Sequence, residues 1–115
     1  MKEYSKVYAE KTNIGSIVGR LDVRFESRKG EVLDFALSLK YVEMEDEYEV
    51  YRADTASHRD APHEHLLWRD EERNRVRPIQ GHRWKSYNQL LNQSLDFIED
   101  NYLRLIRIYK KSKGV

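Results

Sequence analysis

Apolar residues take alternate positions over residues 17–27, where Arg20, Asp22, Arg24 and Glu26 separate Ile17, Leu21, Val23 and Phe25. A two-residue period is that of a half-buried β-strand. The alternation resumes at Leu33, Phe35, Leu37, Leu39 and Tyr41, after the glycine-bearing turn Ser27-Arg28-Lys29-Gly30-Glu31. Residues 17–27 and 31–41 therefore predict a β-hairpin with one apolar face. Upstream, residues 4–11, with Val7 and Tyr8, predict an edge strand turned into the hairpin by Asn13-Ile14-Gly15. Downstream, residues 48–54 alternate weakly but are rich in β-formers and predict a further strand. Residues 63–69 and 75–80 predict two short strands joined by a turn at 70–74.

The period changes after Ser86. Leu90, Leu91, Leu95, Ile98, Tyr102, Leu105, Ile106 and Tyr109 recur at three- and four-residue steps with charges between them, the pattern of an amphipathic helix. Ser86 suits the N-cap. Gly114 follows the last turn, beside Lys110, Lys111 and Lys113 at the negative end of the helix dipole. The expected fold is α+β: an antiparallel β-meander of five to six strands packed against one long C-terminal helix, in a single domain over residues 1–115.

Composition refines this picture without redirecting it. A chain of 115 residues is long enough for one hydrophobic core and too short for two. It has no cysteine, which excludes disulfides and thiolate metal ligands, so any metal would need His, Asp or Glu. The opening Met1-Lys2-Glu3-Tyr4-Ser5 lacks the apolar stretch of a signal peptide, and no window has the length of a membrane span, so a cytoplasmic protein with no membrane partner is expected. Net charge is only +1, so the distribution matters more than the sum. Residues 43–49 hold five acids and no base, and residues 73–85 hold five bases and no acid. Each run reads as a solvated face or, alternatively, as a surface for a phosphate backbone or a partner of opposite charge.

Chemistry concentrates in residues 52–65, where His58, His63 and His65 follow Arg52 and Asp54. His63 and His65 project from one face if they lie on a strand, because strand side chains repeat every second residue. Imidazoles beside a carboxylate suit general acid and base work near neutral pH. The same residues suit a divalent metal, with His63 and His65 as a His-x-His pair and Asp54 or His58 as third ligand. They also suit a polar turn in which Asp54 caps backbone amides. Arg52 is placed to steady a phosphate through its bidentate fork, or to form a cross-strand ion pair. Trp68 and Trp84 are either core anchors or stacking surfaces for a base. No glycine-rich phosphate loop, nucleophile elbow, His-Glu-x-x-His or calcium-loop spacing occurs, which argues against ATP-dependent phosphoryl transfer and dinucleotide chemistry.

A meander of strands, then Val50-Tyr51-Arg52-Ala53-Asp54-Thr55-Ala56 at a strand end, then the histidine-bearing residues 58–65, resembles the TumE-type toxins of prokaryotic toxin-antitoxin systems and related small families. The likeness covers the second half of the chain. It differs from the toxins in the wider spacing of its histidines and in a longer C-terminal helix carrying Asp96-Phe97-Ile98-Glu99-Asp100-Asn101-Tyr102. The resemblance implies a growth-inhibiting protein that acts on RNA and is neutralised by an antitoxin. On that reading Asp54, His58, His63, His65 and Arg52 form the catalytic set of a metal-independent ribonuclease without cofactors, with His63 and His65 as acid and base. Arg73, Arg75, Arg77, Trp84 and Lys85 would hold the RNA. The other reading is a non-enzymatic interaction module.

Overall fold

The computed structural model describes residues 1–13, 15–55 and 61–115, with the side chains of residues 73 and 74 excepted. Six strands form one antiparallel sheet whose spatial order equals their chain order: β1 (Lys2–Thr12), β2 (Gly15–Arg28), β3 (Glu31–Glu43), β4 (Asp46–Asp54), β5 (His63–Leu66) and β6 (Val76–Pro78). A single helical turn, α1 (Glu72–Arg75), occupies the predicted turn before β6, and α2 (Tyr87–Lys113) closes the chain. The fold is therefore the predicted α+β meander with a long C-terminal helix.

Alternation decides which face is covered. Ile17, Leu21 and Val23 of β2, Phe35, Leu37, Leu39 and Tyr41 of β3, and Tyr51 and Ala53 of β4 all point to one side and are buried. α2 lies on that side and contributes Leu90, Leu91, Ile98, Leu105 and Ile106 to the same core. The helix comes close to β2 at Gly19, where an added Cβ would stand 2.8 Å from Ile106 Cδ1. At the far edge Tyr8 of β1 stacks on Tyr102 with ring centroids 4.1 Å apart, and its hydroxyl donates to Glu99 at 2.7 Å. Among the described residues no element covers the opposite face, which carries the polar positions of the central strands, Arg20, Asp22 and Arg24 of β2, Asp34, Ser38 and Lys40 of β3 and Arg52 and Asp54 of β4.

Two irregularities alter the simple alternation. The β2–β3 register shifts between Glu26 and Ser27, so Leu33 is skipped in the pairing. Leu33, expected on the apolar face, is consequently 43% exposed, and Val32 is buried in its stead. The β3–β4 register shifts between Leu39 and Lys40, pairing Leu39 with Tyr51 and Lys40 with Glu49 and leaving Val50 as the extra residue. This bulge is the physical reason that residues 48–54 alternate weakly.

α2 begins and ends where its sequence signals lie. Ser86 Oγ accepts from Gln89 N, and Gln89 Oε1 accepts from Ser86 N, a reciprocal capping box. Gly114 stops the helix in the left-handed conformation, φ 69°, with its N–H bonded to the Lys110 carbonyl. No helix among the described residues is long and apolar enough to cross a membrane.

Candidate functional site

β4 ends at Asp54 and β5 begins at His63, and their pairing sets Asp54 opposite His63 and Arg52 opposite His65. Tyr51, Ala53 and Leu66 turn toward the core, so their strand neighbours Arg52, Asp54, His63 and His65 all turn to the open face. Four side chains from four separate positions in the chain thus meet at one place. The Val50 bulge adds a fifth. Residues three apart in a regular strand face opposite ways, but the extra residue brings Glu49 onto the same face as Arg52, with Glu49 Oε2 3.9 Å from Arg52 Nη1.

Asp54 is the centre of the group and only 2% exposed. A carboxylate removed from water is tolerated when it is paired and hydrogen-bonded. Arg52 Nε donates to Asp54 Oδ2 at 2.5 Å, and His63 Nε2 lies 2.9 Å from Oδ1. His65 Nε2 stands farther off, 3.9 Å from Oδ2. Beyond the cluster the strand end is pinned to β3, since Thr55 N donates to the Phe35 carbonyl at 3.0 Å and Phe35 N donates to Thr55 Oγ1 at 2.9 Å. Asp54 therefore has little freedom to move.

The two imidazoles differ. His63 Nδ1 donates to the Ala61 carbonyl at 3.1 Å, which leaves Nε2 directed at Asp54. Burial pushes the His65 pKa below its usual value; the Asp54 and Glu49 carboxylates oppose this, whereas His63 and Arg52 reinforce it. The rings are set edge to face, 4.9 Å between centroids. Asp54, His63 and His65 each offer one ligand atom, and these atoms lie within 4.8 Å of one another, so the three side chains that suit acid–base chemistry equally form a two-histidine, one-carboxylate donor set.

A groove of about 520 Å³ on the same face is lined among others by Glu3, Asp22, Arg24, Lys40, Glu49 and Arg52; it meets the cluster at Glu49 and Arg52, and Asp54, His63 and His65 are not part of its wall. Its acids and bases are largely mated: Asp22 accepts from Lys40 at 2.8 Å, from Arg20 at 3.0 Å and from Ser5 at 2.7 Å. Ser38 donates to Glu49 at 2.5 Å, completing a chain from β3 through Glu49 and Arg52 to Asp54.

The remaining residues singled out from the sequence lie elsewhere. His58 falls outside the described residues, as does the Arg73 side chain. Arg75 donates to the carbonyls of Arg69 and Asp70 at 2.5 and 3.2 Å. Arg77 pairs in register with Glu64, one residue out of phase with the histidines, and bonds its carboxylate at 2.5 Å on the helix side of the sheet, where Tyr51 also donates to Glu64. Trp84 is 76% exposed in the turn before α2, and Lys85 bonds Gln93 at 2.5 Å. Trp68 packs against the core. Sequence reading missed Ser38, Glu49 and the polar positions Asp22, Arg24 and Lys40. The alternation that revealed the apolar face also names the last three, whereas Glu49 is hidden by the bulge.

The family model of a domain of unknown function, DUF7718, matches residues 1–115. No curated protein and no solved structure matches the chain.

Proposed function

The chain belongs to the DUF7718 family, whose function is unknown, so its activity has to be argued from the site, and we propose a toxin-like protein that cleaves RNA at the Arg52, Asp54, His63 and His65 cluster. The observation that carries this reading is the convergence of two imidazoles and a guanidinium on one buried carboxylate, with the guanidinium of Arg52 also lining a groove on the same face. Ionisable groups gathered round a carboxylate at 2% exposure mark a candidate functional site. Arg52 supplies a planar donor for a phosphate, and Arg24 is a further guanidinium in the wall of the same groove. The resemblance at residues 50–56 to TumE-type toxins supplies the reaction class. It also supplies the biological setting, a cytoplasmic toxin held in check by an antitoxin protein.

Induced expression tests the proposal. Cells expressing the wild type arrest, total RNA is degraded, and a soluble His63→Ala/His65→Ala double mutant grows normally. Unimpaired growth with abundant soluble wild type, together with intact RNA, would overturn the reading.

A second reading, a non-enzymatic interaction module, is favoured by β1. This eleven-residue strand is an open edge of the sheet, a ready template for strand addition by a partner. The acid-against-base version of that reading loses support, because Glu47 is taken by Arg20 and Arg77 by Glu64 within the chain.

A further inference from the structure

We propose that Asp54, His63 and His65 bind one divalent first-row transition ion, in a two-histidine, one-carboxylate site on the open face of the sheet. This deepens the reading of the cluster as a reaction centre by assigning it a metal. Binding itself does not depend on RNA being the substrate.

Three features of the geometry point to it. First, the donor set is nitrogen-rich. Imidazole and carboxylate together suit zinc, manganese, iron, cobalt or nickel, whereas magnesium and calcium prefer oxygen alone. Second, one pair already has the spacing and the third ligand is near. Ligands at about 2.0–2.2 Å from an ion stand roughly 2.8–3.6 Å from their neighbours in octahedral or tetrahedral arrangement. His63 Nε2 and Asp54 Oδ1 stand 2.9 Å apart, whereas His65 Nε2 is 3.9 Å from Asp54 Oδ2 and the trio spans up to 4.8 Å, so the partly exposed His65 ring has to swing inward to complete the site. Third, the supporting bonds are those of a metal site. A ligating histidine usually gives its other ring N–H to a carbonyl or carboxylate. His63 Nδ1 does so to Ala61, which turns the Nε2 lone pair toward the Asp54 oxygen.

A dication at this point would be held by His63 Nε2 and Asp54 Oδ1 together. Arg52, backed by Glu49 and Ser38, holds the second Asp54 oxygen and so fixes the carboxylate's orientation. Both histidine side chains remain partly accessible, 17% for His63 and 26% for His65, which leaves an approach for the ion and room for water or substrate in its open positions.

The test uses untagged protein of residues 1–115, stripped with chelator and titrated calorimetrically with Zn²⁺ without RNA. One ion binds per chain, and Co²⁺ in its place gives visible d–d absorption bands. His65→Ala weakens Zn²⁺ binding by at least roughly 10-fold, in line with the sensitivity of metal sites to loss of a supporting group, and abolishes the Co²⁺ bands. His82→Ala, whose ring bonds the Ile79 carbonyl away from the cluster, binds as the wild type does. Mg²⁺ at equal concentration does not compete. Far-UV circular dichroism verifies that the partly exposed His65 site tolerates alanine. Absence of saturable 1:1 Zn²⁺ binding by the wild type, or undiminished binding by His65→Ala, refutes the site. The two readings fail separately: zinc binding without RNA cleavage keeps the metal site and removes the ribonuclease, whereas cleavage by a protein that binds no metal does the reverse.

Discussion

Asp22 and Asp54 are two carboxylates on the same open face, held by different means. Asp54 is almost wholly enclosed by its partners, whereas the Asp22 side chain keeps 31% of its exposure. Burial pushes the Asp22 pKa up, but hydrogen bonds from Lys40, Ser5 and Arg20 outweigh it and hold the value at about 2 against the usual 3.8. A pKa lower in the folded than in the unfolded chain means that the folded state favours the ionised form. The stabilisation is complete above 3.8 and fades as pH falls toward about 2. Asp22→Asn is expected to be less stable than the wild type at pH 6, and to lose less stability on acidification through that window. Urea unfolding at pH 6 and pH 2.5 checks this, and parallel pH profiles for the two proteins would count against it.

Among the elements, α2 is the one whose ends are most fully specified by its own residues. The Ser86–Gln89 box satisfies two backbone donors that no helical carbonyl reaches. Ser86→Ala is expected to cost about 1 kcal/mol, within the range typical of such caps, and to lower the urea midpoint without changing its slope. An unchanged midpoint would mean that the cap contributes nothing beyond what water supplies. The strands are less self-sufficient. Their apolar alternation announced β2 and β3 correctly, yet Leu33 is exposed and Val50 is an extra residue because pairing with a neighbour, not local pattern, fixes where a strand bulges. The bulge at Val50 then decides that Glu49 joins Arg52 at the site. Extending the prediction of β5 to residue 69 failed for a related reason, since pairing with β4 ends at Leu66 and the chain turns away.

At the scale of the whole molecule, stability rests on α2 covering the apolar face of the meander. Ile98 is fully buried in this interface. Ile98→Ala removes packing that nothing nearby can replace and is expected to cost about 2–5 kcal/mol, a large share of the roughly 5–15 kcal/mol that holds a domain together. Because helix and sheet share one core, far-UV and near-UV signals should lose amplitude in one common transition. A helix that melts separately from the sheet would show that the two are independent. The site lies on the opposite face, so this variant, where still folded, retains the zinc-binding stoichiometry of the wild type.

The sequence by itself determined the strands of the meander, the long C-terminal helix and which side of β2 and β3 is apolar, because periods of two and 3.6 residues are local properties of strand and helix. It also marked residues 52–65 as the place where chemistry concentrates, and the His-x-His spacing implied that His63 and His65 share a face. Only the tertiary structure decided that Asp54 lies opposite His63, that Arg52 and Glu49 stand on the same side, and that Arg77 stands on the other. Those relations depend on the register between strands, and register is set by hydrogen-bonded pairing and its bulges across residues that are distant in sequence.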